Sequence, residues 1–127
     1  MIFDTDVLIW ASRGSGEAAK LIHSTDERST SIISLMELLQ GSRSRRELRI
    51  IQLFFQNLHF RILPLSERIG HIAVTLIEEY ALSSGLQVAD ALIAATAVDA
   101  GEILTTANAR HFRPIRSLEV KTFRPKR

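Results

Sequence analysis

No cysteine occurs in the 127 residues. That absence removes disulfides, thiolate zinc sites and thiol nucleophiles from consideration, and it suits a reducing compartment. Long apolar runs are missing as well. The longest nearly apolar stretch, Ala91 to Val98, falls far short of the ~18 residues a membrane-spanning helix takes. Asp4 and Asp6 interrupt the N-terminus before the apolar core of a signal peptide forms, so a cytoplasmic protein with no membrane association is expected. Internal repeats, low-complexity tracts and linkers are lacking. His23, His59 and His71 show no zinc-type spacing and read as surface or core residues. Lysine is scarce: beyond Lys20, Lys121 and Lys126, the other 13 of the 16 basic side chains are arginines. The planar arginine fork matches phosphate better than the lysine point charge does.

What is present is ordinary globular material, 46% hydrophobic and 24% charged. Its length suits one domain, residues 1–127. The net charge of +2 hides an asymmetry: residues 1–109 sum to −4, and the basic C-terminal segment 110–127 to +6. A second basic knot, Arg43, Arg45, Arg46 and Arg49, stands inside the acidic part. On charge alone these are solvated surfaces as readily as polyanion-binding ones.

Strand and helix patterns alternate along the chain. Ile2-Phe3 predicts a strand ending near Asp4, followed by a turn into a helix. A short helix is expected over Ser15–Ile22 and a second strand over Ser29–Ile33. Ser34-Leu-Met-Glu37 opens a helix that Gly41 closes, and Arg45–Leu58 has helical spacing. A third strand, Arg61–Leu65, is broken by Pro64. Ser66 caps a long helix to Ser83 with an apolar stripe through Ile69, Ile72, Ala73, Leu76, Ile77 and Tyr80, and Gly85 stops it. Gln87–Ala100 forms an alanine-rich helix ended by Gly101, Glu102–Thr106 a fourth strand and Val120–Phe123 a fifth. The alternation predicts an α/β domain whose mainly parallel sheet is covered on both faces. Trp10 and Tyr80 read as packing groups ahead of the alternative, base-stacking platforms.

In open parallel sheets, sites lie beyond the carboxyl ends of the strands. Asp4, Glu37 and Asn108 follow the first, second and fourth strands, and Asp90 joins them if its helix starts at the same edge. Each acid also has a structural explanation. Ser34-x-x-Glu37 matches a capping box. Asp90, among Val88, Ala89, Ala91, Leu92 and Ile93, is either paired or metal-bound, or favoured by the helix dipole. Asp4 can accept bonds from the turn amides of Thr5 and Asp6. Asp4 and Asp6 together are harder to explain without a cation, because adjacent like charges repel.

Asp4-Thr-Asp-Val-Leu-Ile, Ser34-x-x-Glu37-Leu, Asp90-Ala-Leu-Ile-Ala-Ala-Thr-Ala and Leu104-x-Thr106-x-Asn108-x-x-His111-Phe112 together resemble the PIN-domain ribonucleases, and most closely their VapC-like toxins. The resemblance spans about residues 2–112 in the family's order and approximate spacing. It implies a three-layer α/β/α fold, an Mg²⁺ or Mn²⁺ site and endonucleolytic cleavage of RNA. By position, Asp4, Glu37 and Asp90 match the family acids and are the expected metal ligands. Glu37 either ligates or orients the attacking water, while Asn108 and His111 position water or phosphate. Thr106 hydrogen-bonds a ligand from behind, and Asp6 orders the first turn or a metal-bound water, with direct ligation as the alternative. His111 departs from the aspartate many members carry, which bears on whether one metal binds or two. Ala107 departs from a frequent arginine. A cognate antitoxin and a homodimer are also implied.

Hard divalent cations prefer oxygen ligands, and a phosphodiester needs its charge screened before water attacks it. The arginines, Arg43, Arg45, Arg46, Arg110 and Arg113 foremost, then either steer RNA phosphates or grip an acidic partner peptide. A haloacid-dehalogenase-like phosphatase matches less well, since a suitable lysine and a later Asp-Asp pair are missing. A catalytically inactive PIN-like module that only binds RNA or a partner is the other reading, and His111 keeps it open.

Overall fold

The computed structural model describes residues 1–125; Lys126 and Arg127 of the basic segment lie outside the described residues. Five short strands, β1 (Ile2–Phe3), β2 (Ser29–Ser31), β3 (Arg61–Leu63), β4 (Leu104–Thr106) and β5 (Val120–Thr122), form one sheet in the order β3-β2-β1-β4-β5. Every pairing is parallel. Six helices connect them: α1 (Thr5–Ser12), α2 (Gly16–His23), α3 (Ile32–Gln40), α4 (Arg45–Asn57), α5 (Glu67–Ser84) and α6 (Val88–Ala100).

Successive strand residues face opposite sides, and the core divides accordingly. Ile2 and Leu104 pack with Ile69, Ala73 and Leu76 of α5 and the Ala91–Ala97 stretch of α6. Phe3, on the opposite face, packs with Val7 and Leu8 of α1, Ile22 of α2, Leu38 of α3 and Phe55 of α4. The result is the expected α/β/α layering. Small alanines on α6 suit its close packing against α5, whereas phenylalanines fill the other face. There the Phe55 and Phe60 rings meet edge to face with centroids 5.2 Å apart. Among the described residues no helix is long and apolar enough to cross a membrane.

Local signals place most boundaries. Ser15, Ser44 and Ser66 each accept an N–H from the first turn of α2, α4 and α5. Gly85 and Gly101 end α5 and α6 in the left-handed conformation, at φ 70° and 65°. One boundary differs. The second strand stops at Ser31, which caps α3 by accepting the Ile33 N–H at 3.1 Å. Ser34 is therefore inside the helix, and Ser34-x-x-Glu37 is not a capping box. β3 likewise ends at Leu63, before Pro64, which has no N–H for the ladder.

The chain moves outward from β1 to β2 and β3, then crosses back to place β4 on the other side of β1. The switch point is thus between β1 and β4, the position at which open parallel sheets form a crevice at the carboxyl ends.

Candidate active site

Asp4 ends β1 at that crevice and serves as the N-cap of α1. Its Oδ1 accepts the Thr5 N–H at 2.8 Å, and its Oδ2 accepts the Thr106 hydroxyl, from the end of β4, at 2.8 Å. Only 7% of Asp4 is exposed. Burial, aggravated by the charges of Asp6 and Asp90, raises its carboxyl from 3.8 to about 7 despite those two hydrogen bonds. The turn-amide explanation of Asp4 is half met, since the Thr5 N–H bonds it and the Asp6 N–H does not, and it leaves this electrostatic cost standing.

Asp6 lies in the first turn of α1 and reaches across to the loop after β4. Both its oxygens take the Ala107 N–H at 3.1 Å, and Oδ2 lies 3.3 Å from the Thr106 hydroxyl. Burial raises its carboxyl pKa as well. Thr106 also accepts the Asn108 N–H at 3.0 Å, so one buried hydroxyl ties β4, Asp4 and the Asn108 loop together. The Asn108 side chain is exposed and opens a short 3₁₀ turn, Ala109–His111.

Asp90 is in the first turn of α6, whose N-terminus does lie at the site edge. Its side chain is 26% exposed, so the charge is less costly than its apolar neighbours in sequence suggest. His111 Nδ1 stands 3.4 Å from Asp90 Oδ2. Glu37 is exposed on α3, and its Oε1 lies 2.7 Å from the Thr5 hydroxyl, which is itself 2.9 Å from Ser34 Oγ. A hydroxyl has one proton to give, so Thr5 donates to the carboxylate and Ser34 supplies the other contact. Thr5 and the buried Ser34 are site residues that sequence reasoning missed, although Thr5 sits in plain view between Asp4 and Asp6.

The expected ligands Asp4, Glu37 and Asp90 are not drawn into one cluster. Among the described residues, no three His, Asp or Glu side chains form a group that could hold a metal ion as they stand. Each acid is instead held separately, Asp4 by Thr106, Glu37 by Thr5 and Asp90 by His111, and like charges oppose closer approach. The donor chemistry still suits a hard cation: oxygen donors, no thiolate, and a carboxylate driven towards protonation first by burial and then by the charges of Asp6 and Asp90. Among the described residues, Asp4, Asp6 and Glu37 have no ion-pair partner, and Asp90 has His111 alone.

Next to this centre, Asn108, Arg110, Arg113 and Arg124 line a cleft of about 570 Å³, together with Ala107, whose N–H bonds Asp6. Arg113 Nη2 donates to Thr122 Oγ1 at 3.2 Å, which fixes the guanidinium across the 3₁₀ turn and β5. Arg124 is a third cleft arginine not singled out for binding from the sequence. Arg43, Arg45 and Arg46 do not line this cleft. Arg43 is 3.6 Å from Glu47, and Arg45 and Arg46 are exposed in the first turn of α4, where the helix dipole disfavours cations.

The model of the PIN domain family matches residues 1–116. Ribonuclease VapC19 of Mycobacterium tuberculosis is 34% identical over 116 residues, covering 87% of this chain and 90% of that protein. Among solved structures, a toxin-antitoxin complex from Klebsiella pneumoniae superposes with a TM-score of 0.80 at 29% identity over 95% of each chain. VapBC2 from Rickettsia felis, bound to a DNA fragment from its promoter, gives a TM-score of 0.81 at 21% identity, covering 98% of this chain and 100% of that one.

Proposed function

The chain belongs to the PIN domain family, and from that premise we propose that it is a divalent-metal-dependent endoribonuclease, the toxin of a VapBC-type pair. The observation that carries the metal dependence is the Asp4 carboxyl, buried beside Asp6 and Asp90 and raised to about 7. No cationic side chain among the described residues pairs with it. The ribonuclease name of its relative and the toxin-antitoxin architecture of its structural neighbours support the rest.

Asp4 and Asp90 would hold the cation, Mg²⁺ or Mn²⁺. When bound, it supplies Lewis-acid activation of water and neutralises charge on the phosphodiester. Thr106 fixes the Asp4 carboxylate in orientation, as outer partners of metal ligands commonly do. Asp6 holds the Ala107 amide, and so the Asn108 loop, against α1. Thr5 steadies Glu37, which orients the attacking water. Asn108 and His111 position the phosphate at the mouth of the arginine cleft, and the single imidazole beside Asp90 favours one metal over two. Arg110, Arg113 and Arg124 guide the anionic strand in. A cognate antitoxin restrains the enzyme, the chain acts as a homodimer, and its place of work is the cytoplasm.

Purified free of any partner, the protein should cut structured RNA with added Mg²⁺ or Mn²⁺ and stop in EDTA. Asp4→Asn and Asp90→Asn should fold normally without cutting. Undiminished cutting by both variants would show the centre wrongly assigned. The contact of His111 with Asp90 favours one second reading, a PIN-like module that binds RNA without cleaving it. Metal-independent binding with no product at any metal concentration would support that instead.

A further inference from the structure

Trp10 does not pack as its sequence neighbourhood suggests. Val7 and Leu8, on the same helix, are fully buried, and Tyr80 packs against the core beneath α5 and α6. Trp10 is 37% exposed and belongs to neither core cluster. Its indole instead lines a cavity of about 670 Å³ between α1 and α2, together with Asp6, Ile9, Arg13 and Lys20. The glycine turn linking the two helices closes the lining; Gly14 there has φ 92°, which side-chain-bearing residues rarely adopt. That volume falls within the roughly 300–1,000 Å³ typical of small-ligand sites.

The cavity adjoins the acidic centre through one residue. Asp6 lines it, and the Ala107 amide that Asp6 accepts lines the arginine cleft beyond. A strand crossing the centre from that cleft therefore reaches the Trp10 cavity next. Arg13 and Lys20 are exposed and form no ion pair among the described residues. Glu17 also lines the space, so two cations and two carboxylates balance, and the cavity is no general anion trap. What distinguishes it is an aromatic ring flanked by cations, the combination that binds single-stranded nucleic acid by stacking its bases.

We propose that this cavity is a nucleobase subsite: the Trp10 indole stacks a base next to the scissile phosphodiester, and Arg13 and Lys20 pair with a phosphate of the same strand. The proposal rests on the ribonuclease reading for its ligand, but its test does not need cleavage.

Trp10 is the sole tryptophan, so its fluorescence reports on this cavity alone. The intact protein in EDTA is titrated with AMP, GMP, CMP and UMP, and separately with ribose 5-phosphate, exciting at the red edge of the indole band. Saturable quenching by at least one nucleotide, absent with ribose 5-phosphate, is expected. Equal quenching by the sugar phosphate, or none by any nucleotide, overturns the subsite and leaves the cavity to another occupant such as a partner protein's side chain. With short single-stranded RNA and metal, Trp10→Ala should raise KM about 5- to 100-fold, the worth of one stacked base, with kcat far less affected. Trp10→Phe should recover most of the loss. An unchanged KM in Trp10→Ala contradicts the proposal while leaving the nuclease reading intact. Base-selective quenching in a protein that cuts no RNA does the reverse.

Discussion

At the amino ends of the strands, Glu102 lies 2.7 Å from the N-terminal ammonium and 3.4 Å from Arg61. At the carboxyl ends, Asp4, Asp6 and Asp90 meet hydroxyls, amides and one imidazole. The same sheet thus neutralises its carboxylate at one edge and leaves several uncompensated at the other. The first arrangement serves the fold. The second costs stability in the protein alone, a cost that a bound cation, on the proposed function, would recover. Pairing the acidic edge with Arg110, Arg113 or Arg124 would have removed the cost and the site together. Those arginines instead line a separate cleft, available to a substrate.

The largest contrast should appear in activity. Asp4→Asn or Asp90→Asn should reduce RNA cleavage at least ~100-fold, more than loss of an outer partner costs a metal site. In the metal-free protein, Asp4→Asn should do the opposite to stability. The folded pKa of Asp4, about 7, exceeds its ordinary 3.8, so the native state holds a proton the unfolded chain has released between those values. The contribution of Asp4 to wild-type stability in EDTA should accordingly be full below about pH 4 and be lost as pH rises towards 7 and beyond. The substituted asparagine carries no charge and still offers an oxygen as N-cap. Denaturant melts of that variant should therefore show a gain on the order of 2–4 kcal/mol above pH 7 and a flatter pH profile.

Smaller effects separate the remaining regions. Replacing Arg110 and Arg113 by alanine together should weaken RNA binding about ten-fold. It should also reduce the steepness of its salt dependence by about 0.7 in log–log slope per lost phosphate contact. Fold stability should hardly change, since both side chains are exposed. At the opposite edge, Glu102→Gln should cost about 1 kcal/mol in urea melts with cleavage unaltered. If it impaired cleavage as much as Asp4→Asn, the division of labour between the two edges would be wrong.

Much of this architecture is written locally. An apolar pair followed by Asp4 marks the end of β1, Ser66 and Gly85 bracket α5, and Asp90 falls at the start of a helix bounded by Gly101. Serine is ambiguous where several occur close together. Ser29, Ser31 and Ser34 all offer cap chemistry, and Ser31 becomes the cap because Ser34 is buried against Thr5. Trp10 misleads because Val7 to Ala11 is uninterrupted apolar sequence in an eight-residue helix, with no period to reveal which side faces out. Thr106 is expected from the sequence to back a ligand, and it backs Asp4, but which partner holds which acid is illegible for another reason. Thr5 with Glu37, Thr106 with Asp4 and Asp90 with His111 join residues 21 to 102 positions apart, and only the sheet order brings them together.

The uncompensated edge is tested most directly by thermal melting at pH 7.5 in EDTA and in increasing Mn²⁺, for wild type and Asp4→Asn side by side. Wild type should start lower and rise with Mn²⁺ until binding saturates, while Asp4→Asn should start higher and rise far less. Equal starting points with the same Mn²⁺ response in both proteins would contradict a cation-requiring centre at Asp4.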